Sequence, residues 1–244
     1  MRIHRVYCKS VSESDKKFSL DEAESYHLVK VLRLKEGSHV EVFDGNGKQA
    51  LCLIVDHSNK KCELERISEI EDQSILSPSL TAVIPFIKKN NFNFMIQKLT
   101  EIGVNKFIIY KPDLSDQSIA KKDFEKIISK SKEIIINVCK QCGNNFLPNI
   151  QYYSNLDNAI KQTQEDDDKY IFDTDATEYF LQDELDNDSS VTIITGPESG
   201  FSNKEIKIIA NRGLKIRYLG RNILRSETAP IVVSSIIKNH FGRI

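Results

Sequence analysis

Two segments in the last third of the chain concentrate residue types able to do chemistry on a ligand. They are TGPESGFSNKEI (Thr195–Ile206) and YLGRNILRSETAP (Tyr218–Pro230). In the first, Gly196 and Gly200 permit close backbone approach, and Pro197 fixes the bend. Glu198 is the one ionisable group between Thr195 and Gly200. A carboxylate there can bind a cation or a hydroxyl, act as a base, or simply face solvent from a turn. In the second segment Arg221 and Arg225 flank the apolar pair Ile223-Leu224, which suggests the floor of a ligand pocket. Glu227 and Thr228 stand at a helix start; with Thr228 as N-cap, Pro230 falls in the first turn, where its missing N–H is tolerated. Glu227 reads either as a reacting carboxylate or as a charge placed near a helix N-terminus.

The elements that must hold these loops are legible around them. Three apolar runs, YIFD, VTIIT and KIRYLG, read as strands and end where the candidate residues begin. Their carboxyl ends are expected on one sheet edge, where open α/β sheets bind ligands. Phe172 and Asp173 then close a third side, beside Thr195, Gly196, Pro197 and Gly200 and beside Tyr218, Leu219, Gly220, Ile223, Leu224 and Arg225. Ser202 and Glu205 form an S-x-x-E capping box, so a helix starts at Ser202. Upstream, LTAVIP, KFIIY and NIQYY alternate with helical patterns from Leu80 onward, which predicts an α/β domain with a mainly parallel sheet. Helices are expected near 121–141, 155–164, 203–212 and 229–240. The turn after the first of these strands, PFIKKN, has no glycine, so a dinucleotide fingerprint is excluded, and TGPESG is no Walker loop.

Residues 1–72 read as mostly β, closing as a small barrel, and the polar stretch at 73–79 reads as a linker to a second domain at 80–244. Asp44-Gly45-Asn46-Gly47 joins two apolar runs as a hairpin, and Cys62, Leu64 and Ile67 are expected to point one way. The one helix of this part, AESYHLVKVLRL, sets Tyr26, Val29, Lys30 and Arg33 at helical spacing. Lys30, Arg33 and Lys35 are candidate contacts to a phosphate backbone or else its solvent side; Lys88, in the glycine-free turn, joins them.

The net charge of −1 over 244 residues hides a segregation. Residues 85–132 carry ten Lys against five Asp/Glu, and 201–244 carry nine Lys/Arg against two Glu. Residues 157–188 carry twelve Asp/Glu against two Lys. Two basic segments on one face would bind nucleic acid although the chain is near neutral. No run of about 18 apolar residues is present, so no membrane span is expected. The N-terminus lacks the apolar core of a secretory signal. Five cysteines, an odd number, fit reduced thiols in the cytoplasm. Cys139 and Cys142 form a lone CxxC with no second pair and no nearby histidine, so no metal is expected.

GPESGFSNKEI and LGRNILRSETA resemble the two signature segments of the RsmE-type 16S rRNA uridine-N3 methyltransferases of the SPOUT superfamily. HLVKVLRLKEG, FDGNGK and IQKLTEIGV extend the resemblance over nearly the whole chain. It implies a PUA-like β-barrel followed by a SPOUT domain with a C-terminal trefoil knot, and S-adenosylmethionine bound in the knot loops. It implies methylation of N3 of a uridine near the decoding site, uridine 1498, on free 16S rRNA or the assembled small subunit, by a homodimer. Ile231, Val232, Val233, Ile236 and Ile237 surround most of the last helix, as a helix between sheet and second subunit would require. The chain departs from the family at Ser199, where glycine is usual, and at Gln117 and Asn144, where arginines are expected. For such chemistry Glu198, Arg225 and Glu227 are the catalytic candidates, unranked. The competing readings are a SPOUT enzyme acting at another RNA site and a catalytically silent RNA-binding protein of the same fold.

Overall fold

The structure, a computed structural model, describes residues 3–114 and 124–244. It divides into two compact units, Met1–Ile75 with Ile136–Leu147, and Leu76–Ile135 with Pro148–Ile244.

The first unit is a sheet of β1 (His4–Tyr7), β2 (Lys17–Ser19), β3 (His39–Phe43), β4 (Lys48–Asp56), β5 (Glu63–Arg66) and β6 (Glu71–Asp72). The strand order is β1-β3-β4-β5-β2, with β6 on β4. Alternation along the strands turns Val6, Phe18, Val40, Val42, Ala50, Cys52, Ile54 and Leu64 into one buried interior. The β3–β4 hairpin is closed by Asp44, whose carboxylate accepts from the backbone N–H of Asn46 at 2.7 Å and of Lys48 at 3.1 Å. Cys62 and Leu64 are buried, but Ile67 is 46% exposed. It is three residues from Leu64, so a period of two places it on the opposite face.

The expected helix through Arg33 is shorter than its spacing predicts. Helix α1 (Glu22–Tyr26), capped by Asp21, passes into a π-type turn at His27–Val31. The N–H of Leu34 then bonds the Leu28 carbonyl at 3.0 Å, and Arg33 is left at φ 57°. Leu28 enters the core while Tyr26, Lys30 and Arg33 are exposed on the solvent side, Arg33 from beyond the end of the helical segment.

Residues 136–147, expected within the second domain, belong to the first unit. Arg5 explains this: its guanidinium donates to the Cys139 carbonyl at 2.7 Å and to the Asn145 side chain, and lies 4.6 Å from the Phe43 ring centre. Lys140 and Glu24 add an ion pair at 2.7 Å with both side chains 11% exposed. Asn144 accepts from the N–H of Phe146 at 2.9 Å and so shapes the turn there.

In the second unit the chain order is β7 (Leu80–Pro85), α2 (Lys89–Ile102), β8 (Lys106–Tyr110), α3 (Phe124–Cys142, shared between the units), β9 (Asn149–Tyr153), α4 (Leu156–Ile160), β10 (Asp168–Phe172), β11 (Val191–Thr195), α5 (Asn203–Asn211), β12 (Lys215–Arg217) and α6 (Thr228–His240). The expected start of α3 near residue 121 and the departure at Gln117 lie outside the described residues. All strand pairs are parallel, in the order β12-β10-β11-β7-β8-β9. Strands β7 and β11, at the centre, are buried at every position, as a sheet covered on both faces requires. Leu156, Ala159, Ile160 and Ile209 of α4 and α5 cover Val83, Ile108, Ile171 and Ile194. Helices α2 and α6 pack together, α6 also lying on β7 and β11. On α6, Val233, Ser234, Ile237 and Lys238 are buried, whereas Ile231, Val232 and Ile236 are half-buried. Among the described residues no helix is long and apolar enough to cross a membrane.

Candidate functional site

Parallel pairing of β10, β11 and β12 with β7 brings the loops after Phe172, Thr195 and Arg217 to one edge of the sheet. They enclose a cavity of about 910 Å³. Phe172 and Asp173 line it from the β10 end, and Thr195, Gly196, Pro197, Glu198 and Gly200 from the β11 end. Tyr218, Leu219, Gly220, Ile223, Leu224, Arg225 and Glu227 line it from the segment between β12 and α6. This volume falls in the range of small-molecule sites.

A set of hydrogen bonds fixes the walls. The Ser226 hydroxyl donates to the Gly196 carbonyl at 2.7 Å, joining the two glycine-bearing loops. The N–H groups of Thr228 and Ala229 bond the Arg225 carbonyl at 2.8 and 3.0 Å, which anchors the second loop to the first turn of α6. The Tyr110 hydroxyl donates to the Thr195 carbonyl at 2.9 Å, and burial pushes this phenol well above its ordinary pKa, keeping it a donor. Ser199 donates to the Leu114 carbonyl at 2.8 Å, so the side chain that departs from the family pattern ties this loop to the segment after β8. Edge strand β12 is held by Arg217, whose guanidinium bonds Glu184 at 2.7–3.0 Å and Glu178 at 2.6 Å. The Arg217 pair holds the Glu184 carboxyl below its ordinary pKa.

Glycine has a specific reason at two positions. A Cβ on Gly196 would meet the Phe201 ring at 3.2 Å, tighter than ordinary contact, so any other residue would have to displace the ring slightly. Gly220 lines the cavity and sits at φ 153°, a conformation that side chains rarely adopt.

The three charged candidates differ in environment. Glu198 and Arg225 are exposed on the rim, whereas Glu227 is 8% exposed and its Oε2 is buried without a hydrogen-bond partner. Thr195, 1% exposed, likewise has an unpartnered Oγ1. A buried polar atom left unpaired costs about 1–3 kcal/mol, and both residues belong to the cavity wall. Glu227, not Thr228, is the N-cap of α6, and its side chain makes no cap bond. The N-cap backbone is αR, so the carboxylate does not reach back over the first turn. Pro230 still lies in that turn. Ile223, at 81% exposure, belongs to the rim rather than the floor, and Leu224 is half-buried.

Sequence reasoning missed Asn91, Asp175 and Ser226, which also line the cavity. Ser226 and Asp175 adjoin the segments already singled out. Asn91 carries no local signal: it reaches the site because β7, which precedes α2, pairs with β11. Lys88 is exposed at the N-cap of α2 and does not line the cavity. In the first unit, Arg33 and Lys35 line a separate notch of about 440 Å³, and Lys30 does not.

Two glycine-bearing walls and a volume in the range of small-molecule sites fit a ligand of the size of S-adenosylmethionine. Comparison with known proteins agrees with that chemistry. A family model described as an RNA methyltransferase domain matches residues 75–238, and one described as an RNA methyltransferase PUA domain matches residues 20–65. Ribosomal RNA small subunit methyltransferase E of Buchnera aphidicola subsp. Schizaphis graminum is 30% identical, over 99% of this chain and 98% of its own. A methyltransferase from Legionella pneumophila, solved with S-adenosylmethionine bound, superposes with a TM-score of 0.87 at 26% identity, covering 98% of each chain. The ribosomal RNA small subunit methyltransferase E of Neisseria gonorrhoeae, also solved with S-adenosylmethionine, shares the fold with a TM-score of 0.85 at 20% identity and 98% coverage of each chain. This chain belongs to the RNA methyltransferase family that includes ribosomal RNA small subunit methyltransferase E.

Proposed function

We propose that this protein is an S-adenosylmethionine-dependent methyltransferase that modifies N3 of a uridine, uridine 1498, in 16S ribosomal RNA. The observation that carries it is the buried, unpartnered Glu227 carboxylate in a cavity walled by the two glycine-bearing loops. In this reading those loops are the threaded part of the superfamily's trefoil knot. The enzyme works in the cytoplasm as a homodimer, on free rRNA or the assembled small subunit. The half-buried Ile231, Val232 and Ile236 of α6 support a second subunit.

The backbone and side chains from Thr195 to Gly200 and from Tyr218 to Arg225, with Phe172 and Asp173, hold the donor. When bound, S-adenosylmethionine supplies a methyl group made electrophilic by its sulfonium. The protein must then remove a weakly acidic proton from uridine N3 and stabilise the charge left on the ring. Glu227 is the base: it lines the cavity, and no group of the protein engages its Oε2. Such proton transfer is worth about 10²–10⁴-fold. Arg225, exposed on the rim, donates to O2 or O4 as negative charge spreads to them. Glu198 faces solvent and takes no proton. Lys88, Lys30, Arg33 and Lys35 contact the RNA.

The test is Glu227→Gln against Glu198→Gln, with S-adenosylmethionine affinity read by calorimetry and N3-methyluridine read by mass spectrometry of 16S rRNA. Glu227→Gln is expected to keep donor affinity and lose about two orders of magnitude in kcat. Equal losses in both variants would remove Glu227 as base. Full methylation of uridine 1498 in cells lacking the gene would remove the substrate assignment.

A further inference from the structure

We propose that the notch around Arg33 on the first unit seats one unstacked RNA nucleotide, recognised by its base. The proposal rests on the RNA-substrate reading above and adds a site to it. The notch, of about 440 Å³, is lined by Val29, Arg33, Leu34, Lys35, Glu36 and His57. Val29 and Leu34 pack against the core of the unit and give the notch an apolar floor. Arg33 and Lys35 bring donors to its wall, and Glu36 brings an acceptor, engaged by His57 Nδ1 at 3.0 Å. With opposed charges in the wall, a bare phosphate is a poor match. A nucleobase fits better, because it has two apolar faces and an edge carrying donors and acceptors. A planar guanidinium can stack on such a face or bond its edge.

The backbone supplies an independent observation. Among the described residues Arg33 is the one non-glycine residue with positive φ, at 57°. Arg33 stands where the helical segment ends, and its left-handed conformation turns the chain back. The N–H of Leu34 bonds Leu28, that of Gly37 bonds the Ile54 carbonyl at 2.9 Å, and that of Lys35 bonds the Ser38 hydroxyl at 3.1 Å. This turn sets Arg33, rather than the glycine usual at such a helix end, in the wall of the notch.

The experiment uses the full chain and fluorescence anisotropy over a range of salt. The probes are short single-stranded homopolymers of U, A and C, the same backbones made abasic, and the A·U duplex. The variants are Arg33→Gly and His57→Ala. Arg33→Gly relieves the strained backbone, so its Tm is expected to rise by about 2–4 °C, which certifies its fold. Both variants are expected to bind at least one single strand about fivefold or more weakly, the range of one base contact. Binding of abasic strands and duplex should hold within about twofold, with little change in salt slope. A loss shared equally by abasic strands, with the slope falling by about 0.7 per contact, would make the notch a phosphate contact and overturn base recognition. Unchanged affinity for every strand would overturn the notch itself. Wild-type protein that binds none of the strands would overturn both the notch and the RNA-substrate reading, whereas wild-type binding with unaffected variants overturns the notch alone.

Discussion

Ser226 donates its hydroxyl proton to the carbonyl of Gly196 at 2.7 Å, thirty residues earlier in the chain. This bond joins the loop after β11 to the loop that leads into α6, and both line the same cavity. A buried hydrogen bond of this kind contributes about 1 kcal/mol. Ser226→Ala is therefore expected to weaken S-adenosylmethionine binding by about fivefold, through looser walls rather than a lost ligand contact. Calorimetry checks it, and affinity equal to wild type would show that the two loops hold their spacing without the bond.

Gly220 offers the converse perturbation, adding bulk instead of removing a tie. It lines the cavity, and its φ of 153° disfavours any side chain. Gly220→Leu is expected to abolish measurable S-adenosylmethionine binding while far-ultraviolet circular dichroism stays that of wild type. Retained binding would move the donor away from this loop.

The parts of the fold written locally were legible in the sequence, and the parts made by distant contacts were not. Ser202 and Glu205 announce the start of α5 because a capping box needs four consecutive residues, and both bonds are present. The strand–helix alternation from Leu80 announces a parallel sheet for the same reason. The spacing around Arg33 fits a continuing helix, and only the backbone, with the N–H of Leu34 bonded to Leu28 and Arg33 left-handed, shows that the helix ends before it. The affiliation of 136–147 with the first unit depends on Arg5 and Glu24, more than a hundred residues away, and periodicity along α3 says nothing of them. In the site, the charged residues were legible as types, but their ranking required burial: Glu198 exposed, Glu227 covered with one oxygen unbonded.

The Lys140–Glu24 pair makes a prediction about the first unit. Both side chains are 11% exposed; Lys140 bonds Glu24 Oε1, and Oε2 has no hydrogen-bond partner. Removing one member leaves a buried charge uncompensated, at about 3–5 kcal/mol, whereas replacing both with apolar residues of similar volume is often neutral. Lys140→Met is expected to lower thermal stability sharply, and Lys140→Met with Glu24→Leu to restore most of it. A double variant as unstable as the single one would mean that the pair stabilises beyond cancelling its own burial.

Lys238 predicts a pH dependence of stability with a definite sign. It is 3% exposed on α6 and donates to Asn105 Oδ1 at 3.1 Å. Burial, aided by the nearby Arg243 charge, lowers its pKa from 10.5 to about 8. The unfolded chain thus holds this proton more tightly than the folded one. Below pH 8 both states are protonated, and the folded state carries the full penalty of a buried charge. Between about pH 8 and 10.5 unfolding takes up a proton, so this residue's contribution to stability rises with pH by about 3 kcal/mol. The buried thiols Cys52 and Cys62, raised to about 12 and 11, act in the opposite direction above pH 9, because the unfolded chain ionises them first. The wild-type curve is therefore a composite, and the difference from Lys238→Met isolates the lysine. Asn105 Oδ1 keeps its bond from the Leu80 N–H at 2.9 Å in that variant, so no new unpaired acceptor confuses the comparison. Denaturant unfolding at pH 7.5 and pH 10 is expected to show Lys238→Met with an advantage at the lower pH that shrinks by about 2 kcal/mol at the higher. A difference independent of pH would mean that Lys238 keeps its proton throughout this range.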